Sequence, residues 1–441
     1  MKPVSVGVIG LGTVGAGTVD VLRRNGEEIS RRAGREIKVT RAAVRDLARS
    51  RDCNTAGISL TANPHEIVED PEIDVVIELI GGCDVAFDLI SAALDHGKHV
   101  VTANKALIAT RGNEIFHQAS SAGLVVAFEA AVAGGIPVIK VLREGLAGNR
   151  VERLVGILNG TCNFILSGMQ EDRSDYAEVL LKAQANGYAE ADPSVDVQGV
   201  DAAHKLTILA SIAYGVHLDF KSVHVEGISD ITQDDIIYAR ELGYRIKHLG
   251  IARRLPNGLD LRVHPCLVGD DHLLSNVSGV MNAIVVNGDA VGETLLYGAG
   301  AGAQPTASAV IADLVDVVRT LTSDPGNRVP HLAFQPAALA APGIVPLSEI
   351  VCAHYLRLTI HDRPGVLADI TRILGDYQVS IEAIRQQGSA DALGNVPVVI
   401  VTHAALEANV AMAVSEIEAL STNARAATRI RLETLEESVD E

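Results

Sequence analysis

The sequence predicts an α/β protein with three parts: an N-terminal parallel sheet, a central α+β domain and a C-terminal ferredoxin-like domain. Its 441 residues are enough for two to four domains. Hydrophobic residues make up 48% and aromatic residues only 3%, so the cores must consist mainly of Val, Ile, Leu and Ala. Cores of that composition favour sheets covered by helices over an aromatic-rich β-sandwich.

The first 130 residues alternate between predicted strands and predicted helices, which is typical of a parallel sheet. Strands are expected at 4–9, 37–44, 74–79, 99–103 and 124–130, with helices at 85–96 and 112–122. We assign 1–130 to the first domain and expect 305–324 to complete it. Residues 131–304 are predicted to form the second domain, with strands at 154–161, 262–268 and 282–288 and helices at 175–187 and 201–214.

A proline-rich segment precedes the C-terminal part of the chain. Five of the fifteen prolines fall within 325–346, so we predict a semi-rigid linker over 325–348. Within 349–441, Leu356, Leu358 and Ile360 alternate as in a half-buried strand, and a helical pattern follows DRPG. Further strands at 379–384, 396–401 and 428–435, a hairpin at 388–395 and a helix at 405–420 complete a βαββαβ order.

Composition also excludes several classes of protein. A formal net charge of −18 argues against nucleic acid as a partner, because binding phosphates requires clustered Lys and Arg. No uninterrupted apolar stretch reaches the length of a membrane span, and the N-terminus enters a strand directly, so no signal peptide is expected. Five widely spaced cysteines predict neither a disulfide framework nor a structural zinc site, which fits a cytoplasmic protein.

Glycines at 10, 12 and 15 form GLGTVG between the first strand and the first helix. Gly10 permits a tight turn, Gly12 lets a pyrophosphate approach the backbone, and Gly15 lets helix and strand pack closely. The N–H groups of Leu11, Thr13 and Val14 lie at the positive end of the helix dipole, where phosphate binds. This motif predicts a site for NAD or NADP, the alternative being a glycine-rich structural turn.

The second predicted strand ends at Val44, Arg45 and Asp46, where a dinucleotide site meets the adenosine ribose. An arginine there favours the 2′-phosphate of NADP, while Asp46 is suited to NAD. The alternative interpretation is two solvated loop charges.

A second cluster of polar residues lies in GYAEADPSVDVQGVDAAHK at 187–205. Asp201 and Lys205 are four residues apart on a predicted helix and therefore share a face; Asp201 also stands where an N-cap is expected. The alternative interpretation, which the spacing alone favours, is a capped helix with an ordinary salt bridge. Lys105, in VTANK, follows a strand of the nucleotide-binding sheet, at the edge where ligands bind, and is a candidate site residue. The alternative is an ordinary exposed lysine.

Together these motifs resemble the homoserine dehydrogenase family. GLGTVG, VTANK, FEAAVAGGIPVI, GILNGTCNFIL, the 187–205 segment and GAGAGAQPTASAVIADL occur in the family's order over residues 10–314. The family's last motif usually has a proline where this chain has Ala299. The C-terminal unit, with DRPGVLADI at 362–370, resembles an ACT domain. The resemblance implies a Rossmann-type nucleotide domain and reversible, NAD(P)H-dependent reduction of L-aspartate 4-semialdehyde to L-homoserine, in threonine, methionine and isoleucine biosynthesis.

By the same resemblance, Lys205 is the acid that protonates the carbonyl oxygen. Asp201 positions Lys205 and the polar end of the substrate, and Lys105 contacts substrate or cofactor. Carboxylates suit a substrate that carries an ammonium group. The remaining implied contacts are Glu190 and Asp196 with the substrate and the backbone of Gly187 and Gly302 with the cofactor.

The family resemblance also suggests a sodium ion, an amino-acid effector and an oligomer. Glu129 and the carbonyls of Val132, Gly134 and Ile136 would hold sodium, with a simple strand-to-helix turn as the alternative. The ACT unit predicts regulation, with threonine as the expected ligand. We expect a homodimer or homotetramer. Two other functions stay open: a non-catalytic amino-acid sensor, and an NAD(P) dehydrogenase of another amino-acid aldehyde.

Overall fold

The computed structural model describes residues 2–325, 328–386 and 390–433, which fold into two compact units. Unit 1 comprises Met1–Leu158, Asp201–Val223 and Met281–Pro342. Unit 2 comprises Asn159–Val200, His224–Val280 and Gly343–Glu441. Elements are numbered here in chain order through both units.

Unit 1 contains nine strands and eight helices among its described residues. They are β1 (Val4–Ile9), α1 (Thr13–Arg24), α2 (Gly26–Ala33), β2 (Ile37–Ala43), β3 (Ser59–Thr61), α3 (His65–Val68), β4 (Val75–Glu78), α4 (Asp84–Asp95), β5 (His99–Thr102), α5 (Lys105–Ser121), β6 (Val126–Ala127), α6 (Val138–Lys140), β7 (Val151–Ile157), α10 (Val200–Tyr214), β11 (Met281–Gly288), β12 (Gly292–Ala299) and α12 (Ala303–Thr320).

The predicted parallel sheet is confirmed. Its order is β3-β2-β1-β4-β5-β6, and each neighbouring pair runs in parallel. The strand order reverses between β1 and β4, and such a switch point opens a crevice at the carboxyl ends of the strands. Buried residues such as Val6, Ile77 and Val101 pack with Val310 and Leu314 of α12 in one core. Helix α12 therefore belongs with the parallel sheet in this unit.

A second, antiparallel sheet in unit 1 joins β7, β11 and β12 in the order β12-β11-β7. Helix α10 lies in the same unit and is buried along almost its whole length. A helix that is apolar on all sides is expected in an interior. Its few charged side chains must therefore be paired there, because an isolated buried charge is costly.

Unit 2 contains eight strands and six helices among its described residues. They are α7 (Gly160–Asp172), α8 (Tyr176–Ala185), α9 (Ser194–Val197), β8 (His224–Val225), α11 (Gln233–Glu241), β9 (Tyr244–Leu255), β10 (Gly258–Gly269), β13 (Val351–His361), α13 (Val366–Asp376), β14 (Ile381–Gln386), β15 (Asn395–Thr402), β16 (Ala405–Leu406), α14 (Glu407–Glu418) and β17 (Asn423–Leu432).

The main sheet of unit 2 has the order β9-β10-β17-β13-β15-β14. The last four strands alternate with α13 and α14 in the predicted βαββαβ order, and their neighbours pair antiparallel as in a ferredoxin-like domain. Buried residues of the sheet and both helices, such as Leu358, Ile370, Ile400 and Val410, form one core. The ferredoxin-like prediction is thus confirmed. At its edge, β17 pairs in parallel with β10 through Cys266 and Arg431.

Three predicted boundaries in unit 1 are wrong. The strand expected at 124–130 is only Val126–Ala127, because the chain then turns through Glu129–Ala131, whose backbone N–H at Glu129 bonds to Asp313. The helix expected from 112 already begins at Lys105, since the Asn104 side chain accepts a hydrogen bond from Leu107 N and so caps it.

The strand expected at 154–161 ends at Ile157, because Asn159 caps α7 by accepting from Cys162 N. Strands β3, β8, β9, β12 and β16 and helices α2, α3, α6, α7, α9, α11 and α12 were not predicted. Part of the predicted 388–395 hairpin, residues 388 and 389, and the end of the predicted 428–435 strand, 434 and 435, lie outside the described residues. The predicted domain bounds stay predictions.

All five cysteines are described, and all five are free thiols. In the described parts of the chain, we find no helix with the length and apolar character needed to cross a membrane.

Candidate active site

The centre of the candidate site in unit 1 is a carboxylate held by two lysines. Asp201 Oδ2 lies 2.8 Å from Lys205 Nζ, one turn later on α10, and Asp201 Oδ1 lies 2.6 Å from Lys105 Nζ at the start of α5. The structure thus brings the three predicted catalytic residues together. The expectation of an N-cap at Asp201 is wrong, because α10 begins at Val200 and the carboxylate binds the two ammonium groups instead.

These three groups carry two positive charges and one negative charge, and two of the three side chains are almost fully buried. The Asp201 and Lys205 side chains are 3% and 9% exposed, while Lys105 is 41% exposed. Burial alone would raise the pKa of Asp201, but the charges of Lys205 and Lys105 outweigh it and hold this pKa well below its usual range. Asp201 is therefore a permanent carboxylate, and the cluster has a net positive charge that suits a developing oxyanion.

Lys205 has a second acceptor, the carbonyl oxygen of Leu158, at 2.6 Å from Nζ. The same oxygen accepts a 2.9 Å hydrogen bond from Asn282 Nδ2 at the start of β11. Asn282 is fully buried, and a Cβ on Gly300 would lie only 2.1 Å from its Oδ1. The ammonium group of Lys205 is therefore directed by two fixed oxygen atoms.

A chain of hydrogen bonds fixes the start of α5, where Lys105 lies. Thr102, at the end of β5, donates to buried Glu78 at the end of β4 (2.6 Å) and accepts from Asn104 N (3.0 Å). Asn104 in turn donates to Gly82 O and caps the helix. Burial raises the pKa of Glu78, although Thr102 and the backbone N–H groups oppose this. These bonds attach Lys105 to the carboxyl edge of the parallel sheet.

The GLGTVG loop has the geometry of a phosphate cradle. Gly10 adopts a φ of 102° and has no room for a Cβ, which would lie 2.8 Å from Leu79 O. A Cβ on Gly15 would lie 2.0 Å from Gly10 O, so this glycine permits the close packing of α1. At Gly12, by contrast, the space within 4 Å of a Cβ contains none of the described atoms. Gly12 is thus the position at which a ligand can approach the backbone.

Leu11 is buried beside this loop, while Thr13 is exposed and Val14 partly buried in the first turn of α1. Helix α1 has no acidic residue in that turn, so its positive end faces no carboxylate of its own. Together with the open space at Gly12, this helix end fits the pyrophosphate of a dinucleotide.

The other predicted cofactor contacts are divided between the two units. In unit 1, Val44 is buried after β2 and donates its N–H to Thr61 O, while Arg45 is exposed. Gly302 is the N-cap of α12 with a φ of 127°. In unit 2, Gly187 follows α8 with a φ of 74°, and the described residues leave open space where a Cβ would lie.

The predicted substrate residues Glu190 and Asp196 both belong to unit 2. Glu190 is exposed, and its carbonyl oxygen accepts from the Gln184 side chain at 3.0 Å. Asp196 is half-buried in α9; its Oδ1 accepts from Asn159 Nδ2 at 2.8 Å. Asp196 is therefore already held by the residue that caps α7.

The residues predicted to hold sodium surround a turn in unit 1. Glu129 is buried, and its two carboxylate oxygens accept from Ile139 N at 2.9 Å and Lys140 N at 2.8 Å. Burial raises the pKa of Glu129 to about 7 despite these bonds, and burial beside Glu129 raises that of Asp313 well above its usual range. At Glu129, burial outweighs the opposing charges of Arg143 and Lys140, and the carboxylate oxygens are hard donors of the kind that a cation such as sodium takes.

The three carbonyl groups of the predicted sodium site belong to the same turn. Val132 and Ile136 are buried, and Gly134 has a φ of 46° with Gly300 O only 2.6 Å from the position of a Cβ. The Ile136 carbonyl accepts from Val138 N at 2.8 Å. The donor atoms are of the kind sodium requires.

Sequence reasoning missed three contributors to this site: the Leu158 carbonyl, Asn282 and Glu78. A backbone oxygen gives no signal in a sequence, and Asn282 is 124 residues from Leu158. Glu78 had a signal, since a carboxylate ending an apolar strand of the nucleotide-binding sheet is unusual.

Comparisons with known proteins agree with this fold. A family model described as "Homoserine dehydrogenase, NAD binding domain" matches residues 10–129, one described as "Homoserine dehydrogenase" matches 137–315, and an ACT domain model matches 354–419. A homoserine dehydrogenase from Pseudomonas aeruginosa is 57% identical over 435 residues, covering 99% of this chain and 100% of the relative. One from Neisseria gonorrhoeae is 51% identical over 438 residues, with coverage of 99% and 100%.

Among solved structures, the crystal structure of a homoserine dehydrogenase from Thiobacillus denitrificans superimposes with a TM-score of 0.94 at 58% identity, covering 98% of each chain. The fold, the nucleotide-binding domain and the ACT domain define an oxidoreductase that uses a nicotinamide nucleotide. The chain belongs to the homoserine dehydrogenase family.

Proposed function

We propose that the chain catalyses the reversible reduction of L-aspartate 4-semialdehyde to L-homoserine by NADPH or NADH. The observation that carries this proposal is the Lys105–Asp201–Lys205 cluster in the unit that contains the nucleotide loop. Bound nicotinamide supplies a hydride to the aldehyde carbon. In this proposal, residues of the chain bind the substrate, exclude water and deliver one proton to the aldehyde oxygen.

Lys205 is our candidate for the acid. Its ammonium group is largely shielded from water and is oriented by Asp201 Oδ2 and the Leu158 carbonyl. Proton donation to the oxygen, as negative charge develops there, produces the alcohol; the reverse reaction returns the proton to Lys205. Asp201 keeps both lysines in place, and the more exposed Lys105 contacts substrate or cofactor.

The test is oxidation of NADPH with aspartate semialdehyde by the wild type and Lys205→Ala. We expect kcat to fall about 10²–10⁴-fold, the usual contribution of a general acid. Lys247 is a matched control, because it is also buried and donates to a carbonyl, that of Val277, at 2.6 Å. Lys247→Ala should keep kcat if it folds. An unchanged kcat in Lys205→Ala would remove this lysine from the mechanism.

The same assay separates the alternative functions. A sensor without catalytic activity would oxidise no NADPH with any aldehyde. A dehydrogenase of another amino-acid aldehyde would have a higher kcat/KM with the homologue that is one methylene longer. The geometry of the lysine cluster favours the enzyme, since a sensor has no need for a buried, oriented ammonium group. Products of the proposed reaction would enter threonine, methionine and isoleucine biosynthesis, and a cytoplasmic location stays a prediction.

For the cofactor, we propose that residues 10–15 hold the pyrophosphate and that exposed Arg45 contacts the 2′-phosphate of NADP. Backbone atoms of Gly187 and Gly302 would lie along the nicotinamide half. Residues 1–130, completed by 305–324, would form this nucleotide domain. Residues 131–304 would then form the catalytic and oligomerisation domain, 325–348 the linker and 349–441 the regulatory domain, in a homodimer or homotetramer.

Glu190 and Asp196 are proposed to bind the ammonium end of the substrate. Both are carboxylates of the segment that precedes α10 in the chain, and Asp196 is held in place by Asn159. Asp196→Asn should raise KM for aspartate semialdehyde and leave KM for NADPH unchanged.

A sodium ion on Glu129 and the carbonyls of Val132, Gly134 and Ile136 would neutralise a buried carboxylate and stiffen the turn before α6. Thermal unfolding at pH 8 tests this without using activity. Replacing tetramethylammonium by Na⁺ at constant ionic strength should raise Tm of the wild type and leave Tm of Glu129→Gln unchanged. Equal shifts in both proteins would contradict a site at Glu129.

Regulation by threonine through the ACT domain is our remaining proposal. Helix α13 begins after DRPG with Gly365 as its N-cap at a φ of 95°, so the turn is sharply defined. Calorimetric titration of the full chain with L-threonine should give saturable binding, with L-valine as a control of similar shape. Any inhibition must come from a difference in threonine affinity between active and inactive states. Absence of binding at millimolar concentration would exclude threonine as the effector.

A further inference from the structure

In unit 2, Arg431 of β17 is buried between two carboxylates that lie far apart in sequence. Its Nε and Nη2 bind Glu407 Oε2 and Oε1 at 3.0 and 2.6 Å, and its Nη1 binds Glu226 Oε2 at 2.9 Å. The arginine is 1% exposed. A planar guanidinium that makes three charge-assisted bonds has little rotational freedom.

The two carboxylates belong to different parts of unit 2. Glu407 is the first residue of α14, inside the ACT domain. Glu226 lies outside that domain, directly after β8, where its N–H donates to Val263 O of β10 at 2.7 Å. Arg431 therefore links the start of an ACT helix to a segment of the preceding domain.

The segment after Glu226 packs tightly on the segment that carries Asp196. Ile228 N donates to Val197 O at 2.8 Å, and a Cβ on Gly227 would lie only 2.3 Å from the same oxygen. On the other side, the carbonyl of Glu226 accepts from His248 Nε2 at 3.0 Å. A shift of Glu226 must therefore either break these hydrogen bonds or move Val197 with it.

Asp196, the residue before Val197, is the proposed substrate carboxylate. Its Oδ1 is held by Asn159, and the neighbouring Thr161 Oγ1 donates to Tyr188 O at 2.7 Å. Direct contacts thus lead from Glu407 through Arg431, Glu226 and Val197 to the segment on which Glu190 and Asp196 lie.

Glu407 also lies beside Cys352 and His354, a set of three potential metal ligands. Arg431 and Arg429 already bind the Glu407 carboxylate, so a metal cation there would face two positive charges. The thiol and Glu407 both approach the same His354 nitrogen, Nε2, which leaves no relay to activate the thiol. The contacts therefore favour an ion-pair network over a metal site or a nucleophile.

We propose that Glu226 is a positioning residue for the substrate segment 187–199, and that Arg431 makes this positioning depend on helix α14 of the ACT domain. The proposal rests on the proposed substrate role of Asp196. By these contacts, the ACT domain would influence the affinity for the substrate. A displacement of α14 would be transmitted through Arg431 and Glu226 and would alter the contacts that hold Val197.

Glu226→Gln in the full chain tests the first step, because it keeps the shape and a hydrogen-bond acceptor while removing the charge. We expect KM for aspartate semialdehyde to rise about tenfold, equivalent to ~1.4 kcal/mol, with KM for NADPH and kcat within about twofold. Glu407→Gln, at the ACT end, should raise the same KM in the same direction. If either variant fails to fold, Arg431→Lys is used in its place. Lysine keeps the positive charge but cannot make the three hydrogen bonds of the planar guanidinium group.

Glu433→Gln is the matched control. Glu433 is also buried beside the β10–β17 pair, but its carboxylate pairs with Arg262 at 3.4 Å. Its substitution should leave KM for the aldehyde unchanged. An equal rise in Glu433→Gln, or an unchanged KM in Glu226→Gln, would overturn the positioning role. An effect of Glu226→Gln without one of Glu407→Gln would overturn the link to the ACT domain.

Asp196→Asn distinguishes failure of this inference from failure of the proposed function. If Asp196→Asn raises KM for the aldehyde and Glu226→Gln does not, only the positioning role is lost. If neither substitution changes KM, the substrate role of Asp196 is wrong, and the inference falls with it.

Discussion

Asn282 and Lys205 donate hydrogen bonds to the same atom, the carbonyl oxygen of Leu158. The Asn282 Nδ2 bond is 2.9 Å long and the Lys205 Nζ bond is 2.6 Å long. Because both donors share this oxygen, the direction of the Lys205 ammonium group depends on a strand residue far from it in sequence. The position of the proposed acid therefore depends on β11 as well as on α10.

Substitution of Asn282 by Leu should therefore lower kcat without removing Lys205. Leucine has a similar volume and cannot donate, so we expect about a tenfold fall in kcat, the value of one buried hydrogen bond, with KM for NADPH unchanged. Steady-state kinetics and Tm measure both effects. Asn163→Leu is the control, since Asn163 is a buried amide in unit 2 that donates to Val277 O and Gly279 O. A normal kcat in Asn282→Leu would show that Lys205 is oriented without it.

Asp201→Asn should destabilise unit 1, because it leaves two ammonium groups without their shared carboxylate. Breaking a buried ion pair costs about 3–5 kcal/mol. The folded pKa of Asp201 is depressed, so its contribution is present above the unfolded pKa and is lost as pH falls through the folded value. Urea unfolding should thus show that Asp201→Asn loses the same amount of unfolding free energy at pH 7 and at pH 5.5. Glu72→Gln, in the exposed pair with Lys2, should be indistinguishable from wild type, and equal stability of Asp201→Asn would contradict the pairing.

Much of the fold could be predicted, because its signals are local. Period-two and helical patterns located β1, β2, α4, β13 and α13 to within a few residues. The boundaries that failed depended on single polar side chains: Asn104 begins α5 earlier than its apolar pattern, and Asn159 ends the preceding strand by capping α7. A capping bond reveals itself only when the backbone that it caps is known.

The site could be predicted only where chemistry and spacing coincide. Lys205 and Asp201 are one helical turn apart, so their contact follows from the sequence. The pairing of Asp201 with Lys105 could not be read from the sequence, because the two residues are 96 positions apart. Arg431 and Glu226 are 205 residues apart, and such pairings are created by the tertiary fold alone.

Substitutions at two glycines of the nucleotide loop should affect different properties, one the binding of the cofactor and the other the stability of the fold. Gly12→Val has open space around its side chain, so Tm should change little while Kd for NADPH rises at least about tenfold by blocking the pyrophosphate. Gly15→Ala should instead lower Tm by several degrees, because its Cβ would overlap Gly10 O. Fluorescence titration and thermal unfolding measure the two effects. Similar Kd values for wild type and Gly12→Val would contradict binding of the cofactor at this loop.

We expect Arg45 to determine whether the protein binds NADPH more tightly than NADH. It is exposed directly after buried Val44, at the end of β2, where the adenosine ribose meets the sheet. Arg45→Ala removes charge-assisted bonds worth about 1.5–3 kcal/mol, so Kd for NADPH should rise about 10–100-fold, with Kd for NADH nearly unchanged. Arg49→Ala, an exposed arginine of the same loop, is the control and should alter neither constant. If Arg45→Ala leaves NADPH binding intact while Asp46→Ala weakens NADH binding, the site is built for NAD, because a carboxylate then holds the ribose hydroxyls.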